Sequence, residues 1–303
     1  MLFYTQLPLN RHSQERKDNN WLLRQQTNNS KWVLVHNHHS LFKANTPELL
    51  FLDYQQVKSL PLWEAIYLGS MNGQGYFALD VTDLDPSILD SLVLGGEFKD
   101  IRSYGPLVEQ QLGSIASLSR GLVHWHKTHR FCGRCGTKNS MFEAGHCRLC
   151  PNPNCKHMTF PRTDPAVIML VLHEDKQGVE RCLLGRQASW PEGVYSTLAG
   201  FVDPGESLEQ AVAREVEEEA GVMIKSAEYV ASQSWPFPSS IMLGFFARAV
   251  DPTIFVDKHE LDDARWFTRE ELNTFLEWGS DQTGYKLTRH DSISRFLIEK
   301  WRK

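Results

Sequence analysis

Residues 200–222, GFVDPGESLEQAVAREVEEEAGV, constrain the fold of this 303-residue chain more than any other stretch. Asp203-Pro204-Gly205 is a turn. Ser207, followed three residues later by Gln210, reads as a capping box, so a helix should start near Leu208. Gly221 is placed to close it as the left-handed residue after the last turn. Leu208, Ala211, Val212 and Val216 recur at three- and four-residue steps and make one buried stripe. Glu215, Glu218 and Glu219 stand at i, i+3 and i+4, so they share a face. Carboxylates crowded on one face repel each other, and acids in the last turn oppose the helix dipole. A helix built for stability alone would interleave lysines. Bound divalent cations offset both costs, and carboxylate oxygens with retained waters suit Mg²⁺ or Mn²⁺.

The cysteines constrain a second region. Five of the six lie between positions 132 and 155, a density that points to a metal site in a reducing compartment rather than to disulfides. Cys132 and Cys135 form a CxxC knuckle with a glycine after each cysteine. The downstream group offers Cys147, Cys150 and Cys155. Cys147 with Cys150 gives a second CxxC, whereas Cys150 with Cys155 gives Cx4C shaped by Pro151-Asn152-Pro153. Two knuckles separated by a hairpin are the pattern of a zinc ribbon. Four protein ligands leave no open position on Zn²⁺, so one such ion is scaffold, stabilising its fold by about 10–16 kcal/mol at neutral pH.

The length suits two domains or three small ones. A net charge of −5 argues against non-specific nucleic-acid binding by the whole surface, though not against a local basic groove. No apolar run reaches 18 residues, and the first twenty residues lack the apolar core of a signal peptide. No membrane association and a cytoplasmic location are therefore expected.

Along the chain, residues 32–35 and 49–52 read as short strands, and 65–69 with 76–79 as a hairpin. Residues 107–127 have helical periodicity. His36-Asn37-His38-His39 has no evident fourth ligand. Residues 166–173 form an apolar strand buried on both faces. Further strands are expected at 182–184, 195–198, 229–233 and 241–249, and helices at 270–278 and 292–301.

These motifs carry a family resemblance. Gly200, Glu206, Arg214-Glu215-Val216, Glu218-Glu219 and Gly221-Val222 match every fixed position of the Nudix box, GX5EX7REUXEEXGU. Residues 232–239, SQSWPFPS, resemble SQPWPFPxS, which marks the NADH pyrophosphatases, also NAD-capped RNA hydrolases, within that superfamily. Ser234 departs, standing where the family has proline. It relaxes one backbone angle and returns an N–H, and the loop shape should survive. The segments 129–132, 160–166, 198–201 and 264–267 also match, as does CxNPxC ahead of Phe160-Pro161-Arg162. That last match favours Cys132, Cys135, Cys150 and Cys155 as zinc ligands and leaves Cys147 as a spare thiol.

The resemblance implies an α/β fold: a Nudix α/β/α sandwich with a mixed sheet at 162–303, preceded by a zinc ribbon at 128–161 and a Nudix-like α+β domain at 1–127. It implies two or three Mg²⁺ or Mn²⁺ held by Glu215, Glu218, Glu219, the Ala199 carbonyl and Glu260. Glu219, with Glu218 as the alternative, is the expected general base. Glu206 and Arg214 are expected to clamp the loop onto the helix. Phe160, Phe201 and the segment Gln233, Ser234, Trp235, Pro236, Phe237, Pro238, Ser239, Ser240 match substrate-binding positions, joined by Glu260 and, on a looser match, Arg102. Physically, a Trp and a Phe held by prolines make a stacking platform for flat rings, while Gln and Ser supply edge contacts. The implied reaction is hydrolysis of NADH or NAD⁺ to a nicotinamide mononucleotide and AMP, by a homodimer, with NAD-capped RNA a further substrate. A broader nucleoside-diphosphate hydrolase acting on ADP-ribose or dinucleoside polyphosphates is the alternative. A regulatory protein that only senses a ligand should have lost box acids, and none is lost.

Overall fold

The computed structural model describes residues 2–93 and 95–303. Its contacts divide the chain into two compact units. One comprises residues 4–163 together with 235–239, and the other Asp164–Ser234 and Ser240–Lys303 with the first residues of the chain.

The first unit holds β1 (Lys31–His36), β2 (His39–Lys43), β3 (Ile66–Met71), β4 (Gln74–Asp80) and β5 (Gly96–Lys99) in the order β3-β4-β1-β2-β5. The β1–β4 pair is parallel and the other pairs are antiparallel. Alternation sets its core. Trp32 and Leu34 of β1 and Phe77 and Leu79 of β4 are buried in one cluster, where Trp32 stacks on Phe77 at 4.5 Å. The strand expected at 49–52 is reduced to isolated bridges, Phe42 with Leu49 and Trp32 with Leu52. The helix Gln110–Thr128 starts at Glu109, whose side chain accepts from the amides of Gln111 and Leu112. The ribbon follows as β6 (Ser140–Phe142), β7 (Cys147–Leu149) and β8 (Met158–Thr159), all antiparallel.

The second unit is built on β9 (Asp164–Glu174). It adds β10 (Glu180–Arg186), β11 (Leu198–Phe201), β12 (Ile224–Trp235), β13 (Ser240–Ala249) and β14 (Asp263–Thr268) in the order β12-β13-β9-β10-β14, with β11 pairing β9. β13 runs parallel to β9, whereas β10 and β11 run antiparallel, so the sheet is mixed. Val167, Met169 and Val171 point into the core formed with Val212 and Val216 of the helix Leu208–Ala220. Ile168, Leu170 and Leu172 point into the other core, with Leu297, Ile298 and Trp301 of the helix Ile293–Arg302. One helix on each face makes the α/β/α sandwich. Val212 and Val216 are fully buried, each contributing about 1.5–3 kcal/mol. Within the described residues no helix is long and apolar enough to cross a membrane.

Two expected elements of this second unit also differ. The strand placed at 195–198 lies instead at Leu198–Phe201, because Ser196 makes only an isolated bridge to Gly185. The helix expected at 270–278 stops at Leu272. Beyond it the Leu276 amide donates to Tyr285 O and the Leu287 amide to Leu276 O, so this stretch is pinned to residues 285–287 in extended form. Asn273 and Thr274, weak helix formers, mark the break.

Candidate active site

The helix Leu208–Ala220 starts as the capping box requires. Ser207 accepts from the Gln210 amide, and the Gln210 side chain accepts from the Ser207 amide. Gly221 closes it at φ 65° in the left-handed region. Arg214 sits at its middle and organises the acids. Its Nε donates to Glu206 Oε1 at 2.6 Å and its Nη2 to Glu206 Oε2 at 3.0 Å and to the Phe201 carbonyl at 2.8 Å. Its Nη1 donates to Glu215 Oε1 at 2.9 Å and to Glu218 Oε2 at 2.8 Å. Glu206 in turn accepts from the Asp203 amide. The loop is thus fastened to the helix by the Glu206–Arg214 pair.

Gly200 has a role other than turning the chain. A Cβ there would lie 1.8 Å from the Glu215 carboxyl carbon, so only glycine lets that carboxylate lie against the strand.

The acids have different surroundings. Glu215 and Glu219 are buried, whereas the Glu218 side chain is about half exposed. Glu219 Oε2 is buried without a hydrogen-bond partner. Burial, then the charges of Glu215 and Glu260, push the Glu219 carboxyl up to about 8. Burial also raises Glu215, against the opposing pull of Arg214. Arg214 lowers Glu206 by its hydrogen bond. Glu215, Glu219 and Glu260 line one cleft of about 810 Å³ together with Ala199, Gly200, Phe201, Arg214, Lys258 and His259. A smaller cleft of about 460 Å³, lined by Arg186, Tyr195, Tyr285 and Lys286, contains none of the box acids.

An orphaned buried oxygen beside two more carboxylates is the donor set of a hard divalent cation. The residues present therefore fit a hard divalent cation. The acids are spread around an open cleft, which suits cations that keep several waters.

The ribbon gathers its ligands more tightly. Cys132, Cys135, Cys150 and Cys155 offer Sγ atoms all within 4.8 Å of one another, the only such group of three or more His, Cys, Asp or Glu among the described residues. Cys147 is buried outside it. The Arg134 amide faces Cys132 Sγ at 3.4 Å, so the knuckle backbone already points a donor at a thiolate position. The run at 36–39 joins no such group.

The remaining sequence candidates fall in two places. Phe201 is exposed at the cleft and Ser240 begins β13. Gln233 is fully buried. Its Nε2 donates to Asp291 O at 2.7 Å and to Phe3 O at 3.2 Å, and its Oε1 accepts from the Ile293 amide at 2.8 Å. That side chain anchors the start of the C-terminal helix, so its amide has no edge left to offer a ligand. Phe160, Arg102 and residues 235–239 belong to the first unit, Phe160 exposed and Arg102 on the short helix Ile101–Tyr104. Trp235 and Phe237 pack edge-on at 5.0 Å, and Trp235 is the last residue of β12. Lys258 and His259 are cleft residues that motif reading passed over, and their one signal was adjacency to Glu260.

Comparison with known proteins agrees in all three regions. Residues 162–290 match the NUDIX domain, residues 29–125 the NADH pyrophosphatase-like rudimentary NUDIX domain, and residues 127–160 the NADH pyrophosphatase zinc ribbon domain. The Homo sapiens protein named NAD-capped RNA hydrolase NUDT12 is 43% identical over 201 residues, covering 64% of this chain and 42% of that protein. The Mycobacterium tuberculosis protein named NAD-capped RNA hydrolase NudC is 38% identical over 243 residues, covering 78% of this chain and 75% of that protein. The chain thus spans less than half the length of its human relative. A NUDIX hydrolase structure from Nitrosomonas europaea aligns at TM-score 0.38 and 24% identity, over 53% of this chain and 99% of that one.

Proposed function

The chain belongs to the NADH pyrophosphatase branch of the Nudix hydrolases, and from that premise we propose that it hydrolyses the pyrophosphate of NADH or NAD⁺ and removes the 5′ NAD cap from RNA. The products are a nicotinamide mononucleotide with AMP, or with a 5′-monophosphate RNA. The observation that carries the reading is the unpartnered, buried Glu219 Oε2 in a cleft shared with Glu215, Glu260 and the exposed ring of Phe201.

Glu215, Glu218, Glu219, Glu260 and the Ala199 carbonyl would hold Mg²⁺ or Mn²⁺. When bound, such ions neutralise phosphate charge and acidify a water. The chain supplies the rest. Arg214 fixes Glu215 and Glu218 by charge-assisted hydrogen bonds and so aims their free oxygens. Glu219, with Glu218 as the alternative, is the carboxylate assigned to take the proton of the attacking water. The water oxygen forms a bond to one phosphorus and the bridging P–O bond breaks. Phe201 offers a flat face to a base or a nicotinamide. Lys258, in the same cleft, is a cation for the phosphate charge. In the ribbon, Cys132, Cys135, Cys150 and Cys155 would hold one structural Zn²⁺. The working assembly in this reading is a homodimer, expected at twice 34.8 kDa by light scattering; a mass of one chain rejects it.

The decisive experiment is a product assay on NADH, NAD⁺, NAD-capped RNA and ADP-ribose, with Mg²⁺ or Mn²⁺, before and after chelation. Release of nicotinamide mononucleotide that stops on chelation supports the proposal. Turnover of ADP-ribose with none of the three nicotinamide substrates replaces it with the broader nucleoside-diphosphate hydrolase.

A further inference from the structure

Residues 235–239 are gripped by side chains of the unit to which they belong. Arg120, on the helix Gln110–Thr128, donates from Nη1 to the Pro236 carbonyl. Its guanidinium lies 4.8 Å over the Phe237 ring. Gly121, the next residue, stands where an added Cβ would be 3.5 Å from Pro236 Cβ, so the helix surface meets the loop at van der Waals distance.

Tyr4 completes the grip. It is buried, and its ring meets Trp235 edge-on at 6.2 Å and Phe237 at 6.1 Å. Its hydroxyl donates to Ile101 O at 3.5 Å. A Cβ on Gly105 would lie 2.0 Å from that hydroxyl, so glycine at 105 is what lets Tyr4 reach the loop. Three rings and one guanidinium therefore fix the tip of the loop.

The choice of arginine is informative. Burying a cation costs free energy unless it is partnered. Burial lowers the Arg120 pKa, Asp100 works against that and Arg102 adds to it. Among the described residues no carboxylate forms an ion pair with Arg120. Its strongest contacts are instead a backbone carbonyl and a ring face, both on the loop. An apolar residue would pack at this helix position without the desolvation cost. What it would not do is set where the Pro236 carbonyl and the Phe237 ring point.

We propose that Arg120 is a positioning residue for substrate selection: by fixing Pro236 and Phe237, with Tyr4 beneath Trp235, it sets the loop for nicotinamide-bearing dinucleotides. The proposal rests on the reading of 235–239 as a substrate loop.

The test compares the full-length chain with Trp235→Ala, Arg120→Met and Arg120→Lys. Steady-state kinetics on NADH and on ADP-ribose are measured alongside melting temperature. Trp235→Ala and Arg120→Met should each raise KM for NADH roughly tenfold, the scale of one hydrogen bond from a charged donor. For Arg120→Met, kcat on NADH and kcat/KM on ADP-ribose should stay within about twofold of the parent, while Trp235→Ala should lose more on NADH than on ADP-ribose. Arg120→Lys should recover part of the loss, because an ammonium can still donate to Pro236 O and sit over the ring. Equal losses on both substrates with a fall in melting temperature would make Arg120 a structural residue and overturn the proposal. An unchanged KM in Arg120→Met beside a raised KM in Trp235→Ala would overturn it alone and leave the loop reading standing. No change in substrate preference in Trp235→Ala would overturn both.

Discussion

Gly200 and Glu215 occupy one another's space: the side chain that any other residue would bring to position 200 is replaced by the Glu215 carboxylate itself. Fifteen positions apart in sequence, they are coupled because the strand β11 and the helix Leu208–Ala220 meet at that point.

Gly200→Ala should therefore displace Glu215 and leave the fold largely in place. Relieving the overlap costs about 1–3 kcal/mol of stability, and a carboxylate moved by about 1 Å lowers kcat roughly a hundredfold. Turnover and a melting curve on the same sample check this. Near-parental kcat would show that Glu215 is not needed where it lies.

Glu219→Gln should lower kcat by roughly 10²–10⁴-fold with the fold intact. Without metal this carboxyl holds its proton up to about pH 8, so a neutral amide replaces a group that is already neutral at pH 7. Activity and melting temperature, both with and without chelator, are the measurements. An unimpaired variant would remove Glu219 from the mechanism.

The thiols separate by role. Cys150→Ser should lose bound zinc and destabilise the chain, because it removes one of the four clustered ligands. Cys147→Ser should retain about one zinc per chain, since four ligands complete the tetrahedron without it. Metal analysis by atomic absorption decides, and zinc loss in Cys147→Ser would reassign the ligand set.

Acid should unfold the first unit through two histidines. Burial pulls His146 down to about 3 and His126 down to about 4. His146 Nε2 donates to Tyr67 O at 2.6 Å and His126 Nε2 to Gly145 O at 2.7 Å; these bonds favour the charged ring, and burial outweighs them. A folded pKa below the unfolded 6.5 gives stability that is complete above pH 6.5. It is lost as pH falls toward 4 and 3, by an amount on the order of a few kcal/mol. His146→Gln can keep the donor to Tyr67 O and should flatten this acid limb. Melting temperature followed from pH 7.5 to 4 tests it, and an unchanged slope in His146→Gln would discount that histidine.

Local chemistry made the acidic helix Leu208–Ala220 legible in advance. Ser207, Gln210 and Gly221 act within a few residues of themselves, and the acids follow from helix spacing alone. The preference for Cys150 and Cys155 also agrees with the cluster. What escaped was long-range. Nothing near Gln233 announces that its amide would be consumed by Asp291 and Ile293, some sixty positions away. Arg120 and Pro236 are 116 apart, and no periodicity links them. The truncated helix at 269–272 failed for the same reason, since its continuation pairs with residues 285–287 instead.

The alternation along β9 bears on how such a protein can change through descent. Its odd-numbered residues serve one core and its even-numbered residues the other, over 167–172. Substitution can alter either core while the other stays as it was. Deletion or insertion of one residue would exchange the two sets at once and slide the partners β10, β11 and β13. Families built on this strand should diverge in composition along it while keeping its length, with gains and losses of residues confined to the loops at its ends.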